Sequence, residues 1–214
     1  MRKKATLFDF DGTLADTVLG IQRTMQETFK AMSLPIPPDE EIRATIGLPL
    51  YDSLKSLNNL SDEKATEATN LYHQLFPKFE VTYVTIFPEV KETLEWLASQ
   101  GVRMAIVTSR NVESLDLINS SRGINDYFET RITASDNLPS KPAPDMVYYL
   151  LERMKLEKED VIVVGDTTFD IDMGNSAGCE TVAVTYGNHT KEHLLSSKPD
   201  HIIDRFSELK NILK

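Results

Sequence analysis

Asp9 and Asp11 stand one residue apart where an apolar run ends, in the stretch LFDFDGTLADT. Two acids so close feel each other's charge, and a buried strand has no use for them unless they act on something. Three other apolar runs end or continue in polar groups. Thr108, Ser109 and Arg110 follow VRMAIV, Lys141 opens KPAPD beyond RITASD, and Asp166 and Asp170 lie in GDTTFD after VIVV. If those runs are neighbours in one parallel sheet, their ends meet on one rim. Carboxylates gathered there repel one another unless a cation sits among them. Oxygen-only ligands point to Mg²⁺, which keeps several waters and accepts phosphate oxygens.

The elements that must position these groups are legible from the apolar pattern. Residues 5–10, 102–109, 131–136, 161–166 and 181–187 read as buried strands, because their Val, Ile and Ala content is nearly continuous. Helical patterns lie between them, at 88–100 and 144–155 among others. Alternation of this kind predicts an α/β fold, a Rossmann-like parallel sheet with helices on both faces and ligands at the carboxyl ends of the strands. Residues 18–80 break the alternation. They show only helical stretches and a Pro-rich interruption, SLPIPPDEEI, and Ser61 is placed to cap one of the helices. So long an insertion is a domain. The predicted division is a core of residues 1–17 and 81–214 and an α-helical cap of residues 18–80, set over the first strand end as a lid.

Composition narrows the function. A net charge of −10 argues against general binding to nucleic acid or to an anionic membrane. One cysteine, Cys179, excludes an internal disulfide and reads as a small core residue. No apolar run suits a signal peptide or a bilayer span, which makes a cytoplasmic protein the expectation. The histidines at 73, 189, 193 and 201 lack zinc-like spacing. His189 and His193, four apart, read as solvated helix positions, and Trp96 reads as core.

DFDGT, TSR, KPAPD and GDTTFD, in this order, resemble the four motifs of the haloacid dehalogenase superfamily, and the insertion resembles that superfamily's helical cap. AGCETVAVTYG and IGLPL further resemble the phosphoglycolate phosphatase-like branch. The resemblance implies a Mg²⁺-dependent phosphatase. Asp9 is the implied nucleophile, becoming an aspartyl phosphate, and Asp11 the acid and then base. Asp9, the Asp11 carbonyl, Asp166 and Asp170 are the implied metal ligands, the last directly or through water. Thr108, Lys141 and the N–H groups of Gly12 and Ser109 are the implied phosphate cradle.

Other readings remain open residue by residue. Arg110 extends the second motif or is a solvated helix-start residue. Asp16 reads as a helix cap. Arg43 binds an anionic substrate tail, with Gly47 letting its loop approach, or is a solvated helix residue. The superfamily's Pro-Gly-Val before the helix that re-enters the core is here Pro88-Glu89-Val90.

A small phosphorylated metabolite is the expected partner, with phosphoglycolate the leading candidate, and the chain a monomer or small homo-oligomer. A phosphosugar mutase of β-phosphoglucomutase type is the alternative, against which Thr13 stands, since such mutases tend to carry Val or Ile there. A pyrophosphatase is a further alternative. Dehalogenation would leave Asp11 idle, and a non-catalytic binding module would leave Asp9, Asp11, Lys141 and Asp166 unused.

Overall fold

A computed structural model of the chain describes residues 3–213. Six strands form one parallel sheet: β1 (Ala5–Phe8), β4 (Arg103–Val107), β5 (Thr130–Ile132), β6 (Val161–Gly165), β7 (Glu180–Val184) and β8 (His201–Ile203). Their spatial order is β5-β4-β1-β6-β7-β8, with every pairing parallel. The chain builds outward from β1 to one side, then crosses to β6 and builds to the other. β1 is therefore at the topological switch, where ligands of open α/β sheets bind.

Both faces of the sheet are covered, as the unbroken apolar strands require. Side chains alternate across each strand. Leu7 and Val163 pack on one face with Met146, Val147 and Leu150 of α7 (Asp145–Met154) and Met173 of α8 (Thr168–Ala177). Phe8 and Val164 pack on the other with Leu94 and Leu97 of α5 (Val90–Ser99) and Leu115 of α6 (Val112–Arg122). Two short helices, α9 (Lys191–Ser196) and α10 (Leu209–Ile212), complete the core. Cys179 is buried, and Trp96 packs half-buried against the core.

Between β1 and β4 lie four helices, α1 (Val18–Ala31), α2 (Asp39–Ala44), α3 (Leu50–Leu57) and α4 (Asp62–Tyr83). Ser61 caps α4, accepting the Lys64 N–H at 3.3 Å. The helix continues through Pro77, which removes only one backbone donor, and so ends three residues beyond the predicted limit of the insertion. A two-stranded antiparallel flap, β2 (Ala15–Asp16) with β3 (Thr85–Ile86), ties the two connections together. Asp16 sits in that flap, and its carboxylate accepts the Val18 N–H at 3.4 Å, although the residue bordering α1 is Thr17.

All five predicted strands are shorter than expected, β1 ending at Phe8 rather than residue 10 and β4 at Val107 rather than residue 109. The run 131–136 ends at Ile132, because the Asp136 carboxylate accepts both the N–H and the hydroxyl of Thr133 and draws Ala134–Asp136 into a 3₁₀ turn. The run 181–187 ends at Val184, and its last residues form a loop at the site. His189 is buried rather than solvated and precedes α9. Its Nδ1 accepts the Thr168 N–H at 3.0 Å, and its ring stacks on that of His193. Among the described residues no helix is long and apolar enough to cross a membrane.

Candidate active site

Asp9 follows β1 directly, and its N–H donates to the Val164 carbonyl at 2.9 Å, extending the sheet ladder by one residue. That bond fixes the carboxylate on the rim, where it is 6% exposed. Asp166 follows β6 in the same way. Asp170 reaches the rim through a capping box: its Oδ2 accepts the Thr167 N–H and hydroxyl, while the Thr167 hydroxyl accepts the Asp170 N–H. A Cβ at Gly165 would lie 2.1 Å from the Asp170 Cβ, so glycine is what lets α8 start this close to the strand. Lys141 arrives from the loop after β5. Its ammonium donates to Asp9 Oδ1 at 2.5 Å and to Asp170 Oδ1 at 2.6 Å.

Carboxylate oxygens of Asp9, Asp166 and Asp170 lie within 4.8 Å of one another. Burial raises the Asp9 carboxyl well above the carboxylate range despite the opposing charge of Lys141, and Asp170, Asp166 and Asp11 push it the same way. Burial and then the Asp170 charge push Asp166 up to about 7. Burial also pulls on the Lys141 ammonium, but Asp170 and Asp9 outweigh it and hold it above its ordinary value. One ammonium does not balance the three buried carboxyls. A hard divalent cation fits this set of oxygen donors and the unmet charge.

Asp11 takes a different position. Its carboxylate faces a cavity of about 250 Å³ between core and cap, which Asp9, Thr108 and Ser109 also line. Arg110 grips it with two hydrogen bonds, Nε to Oδ2 at 3.1 Å and Nη2 to Oδ1. The guanidinium is buried against the rings of Phe76 in the cap and Phe10 in the core, so it is not a solvated helix-start residue.

The Gly12 N–H donates to the Ala15 carbonyl at 2.8 Å, closing the turn into the flap, and so cannot serve the phosphate cradle. Gly12 matters instead for the space it leaves. At φ +85°, its missing Cβ makes room for the Asp166 carboxylate. The N–H groups of Phe10, Asp11 and Ser109 make no hydrogen bond to another described residue and stay available at the rim. Thr108 is buried beside them.

AGCETVAVTYG carries part of the family resemblance, but the sequence reading gives no role to the loop after β7. Asn188 donates its backbone N–H and its side-chain amide to Asp166 Oδ2, at 2.7 and 2.9 Å, and the amide also reaches the Asp11 carbonyl at 3.4 Å. Thr13 donates to Asp166 Oδ1 at 3.0 Å, and Tyr186 donates to the Thr13 carbonyl at 2.9 Å. The YGN tripeptide carries no charge to attract notice.

Besides the Phe76–Arg110 contact, hydrogen bonds join cap and rim. Arg43 donates to the Gly187 carbonyl at 2.9 Å, Ser109 donates its hydroxyl to the Gly47 carbonyl at 2.9 Å, and Asn111 meets His73 at 3.3 Å. Gly47 lines the cavity, whereas Arg43 is exposed and does not.

Residues 6–184 match the model of the haloacid dehalogenase-like hydrolases. The chain belongs to that family. It is 34% identical, over 97% of its length and 92% of the relative's, to a Dickeya dadantii protein described as the probable phosphatase IndB. It is 31% identical to a phosphoglycolate phosphatase of Pectobacterium atrosepticum, over 94% of this chain and 88% of that protein. It is 30% identical to the pyrophosphatase PpaX of Oceanobacillus iheyensis, over 100% of this chain and 98% of that one. The family fold is also that of a solved structure from Haemophilus somnus, described as a predicted phosphoglycolate phosphatase. The two superpose with a TM-score of 0.93 at 26% identity, over 100% of this chain and 99% of that one.

Proposed function

We propose that the chain is a Mg²⁺-dependent phosphomonoesterase acting through phosphorylated Asp9. Its coarser class, a phosphatase of the haloacid dehalogenase-like hydrolases, rests on the family match and on the names of its relatives. The observation that carries the finer reading is the division of labour between the two opening acids. Asp9 is buried among Lys141, Asp166 and Asp170, while Asp11, one residue on, faces the cavity where a leaving group would sit.

A phosphoryl group over Asp9 would meet the N–H groups of Phe10, Asp11 and Ser109, the Thr108 hydroxyl and the Lys141 ammonium. Those donors would stabilise charge on its oxygens as the carboxylate attacks phosphorus. The bond from phosphorus to the alcohol oxygen breaks, and Asp11 gives that oxygen a proton. Water then attacks the phosphorus of the acyl phosphate, Asp11 takes the water's proton, and Asp9 is regenerated with release of inorganic phosphate. Asp9, Asp166 and Asp170 would hold Mg²⁺, with the Asp11 carbonyl, and the ion would neutralise phosphate charge before attack. Arg110 orients Asp11 and touches neither phosphorus nor metal in this scheme.

The test is release of phosphate from p-nitrophenyl phosphate, with Mg²⁺ and with excess chelator, by the native chain and by Asp9→Asn. Mg²⁺-dependent turnover that the amide abolishes is expected, because an amide of the same shape is a far poorer nucleophile. Full activity in chelator, or more than a few per cent left in Asp9→Asn, overturns the reading.

A further inference from the structure

The cavity above Asp9 and Asp11 is where the alcohol half of a phosphomonoester must fit, and its walls come mostly from the cap. Ile21 and Met25 of α1, Ile46, Leu48 and Tyr72 give it an apolar surface. Several cap hydroxyls among its lining residues are bonded elsewhere. Thr45 donates to the Ile42 carbonyl at 2.8 Å, Thr69 to the Ala65 carbonyl at 2.8 Å, and Ser53 to the Thr45 carbonyl at 3.1 Å. Tyr51 donates to Asp62 at 2.8 Å, on the cap surface.

Among the described residues that line the cavity, Arg110 is the only Lys or Arg, and Asp11 already occupies its fork. His73 lies at the cavity's exposed edge, and burial and the nearby Arg110 lower its pKa against the pull of Glu113, favouring the neutral ring. Asn111 Oδ1 accepts the Ser114 N–H at 3.0 Å, which turns its amide nitrogen toward His73 Nδ1. That pair gives the cavity a neutral polar end. Arg43, the cation expected to hold a substrate tail, reaches outside the cavity to Gly187.

From these walls we infer that the site selects phosphomonoesters whose alcohol has an uncharged, largely apolar body, and discriminates against those that carry a second anionic group. The inference rests on the phosphatase reading and narrows its substrate class. A carboxylate moved from water into such a cavity finds no cation that is not already paired, and desolvation then opposes binding. An apolar group of the same outline gains from the same walls. Phosphoglycolate and pyrophosphate, the substrates in the names of two relatives, both carry the disfavoured extra charge.

Two esters of the same outline isolate the charge: 3-methylbutyl phosphate and 3-phosphooxypropionate, each a primary alkyl phosphate with a three-atom branched end. The native chain with Mg²⁺ is assayed on both for kcat/KM, with p-nitrophenyl phosphate as the reference. A preference of at least about tenfold for the neutral ester is expected from the uncompensated desolvation. The variant Met25→Lys puts an ammonium into the wall and should narrow or reverse that ratio. Equal rates, or preference for the carboxylate in the native chain, overturn the inference. They would assign the tail to the amino end of α3 or to an Arg110 that exchanges Asp11 for substrate. Turnover of p-nitrophenyl phosphate in that case leaves the phosphatase reading standing. Absence of turnover on all three esters overturns both.

Discussion

On the rim of the sheet, polar side chains bind across long stretches of sequence. Lys141 bonds Asp9 and Asp170, Thr13 bonds Asp166, and Asn188 bonds Asp166 and the Asp11 carbonyl. In the cap, several polar side chains bind within four residues of themselves. Thr69 returns to Ala65, Thr28 to Thr24 and Thr45 to Ile42. The first pattern fixes atoms from separate elements relative to one another, as a reaction at one phosphorus requires. The second hides polarity and leaves an apolar wall, which senses the outline and charge of whatever enters. Chemistry thus belongs to the rim and selection to the cap, and substitutions in the two regions should fail differently.

Beyond Asp9 itself, the largest effect is expected from the loop that completes the rim. Gly187 faces Asp166 so closely that a Cβ would lie 2.3 Å from the Asp166 Cβ. Gly187→Ala must therefore displace the carboxylate that Thr13 and Asn188 hold by hydrogen bonds. A displacement near one ångström typically costs about 10²-fold in rate. We expect kcat on p-nitrophenyl phosphate to fall by that order, with selectivity between neutral and anionic esters unchanged. A shift in selectivity without loss of kcat would break the division between rim and cap.

Metal binding comes next and bears on the rim alone. Asp166 is pushed up to about 7, so in the metal-free protein a proton competes with any cation there. A raised pKa contributes stability that is complete below the unfolded value and is lost as pH rises through the folded one. Mg²⁺ must displace that proton in acid but finds the carboxylate free in alkali. The rise in melting temperature caused by saturating Mg²⁺ should therefore be larger at about pH 8 than at about pH 6. At a concentration a hundred times its Kd the ion is worth about 2.7 kcal/mol. Equal rises at the two pH values would mean that the ion does not bind at the acidic triad.

Much of this was legible in the sequence because strand ends are. Asp9 and Asp166 directly follow runs whose burial is dictated by their composition, and parallel pairing brings the ends of such runs together. The Thr167–Asp170 box is local and lies openly in GDTTFD. What escaped was of two kinds. The three-residue β8 and the two-residue strands of the flap are too short to show a period. The pairing of Asp11 with Arg110 and the roles of Asn188 and Tyr186 span long stretches of chain, and no pattern of spacing reveals which cation meets which carboxylate. Glu89, where the superfamily shows glycine, holds a left-handed conformation at φ +65° that its identity gave no reason to expect.

Arg43 offers the finest test, because it belongs to the cap by position and to the rim by contact. As a binder of anionic tails it would raise KM for a carboxylate-bearing ester alone when removed. The structure gives it another partner: its Nη2 donates to the carbonyl of Gly187, the residue packed against Asp166. It therefore acts on every substrate equally, by holding the cap and the rim loop together. A hydrogen bond from a charged donor is worth about 1.5–3 kcal/mol where water is excluded, but Arg43 is exposed, so about 1 kcal/mol is the fitting scale. That corresponds to a fall of roughly fivefold in kcat/KM. Arg43→Ala should show this modest loss to the same extent on 3-methylbutyl phosphate and on 3-phosphooxypropionate. A loss confined to the carboxylate ester would return Arg43 to the substrate. The cap would then hold an anionic tail through a cation, against the wall its apolar residues build.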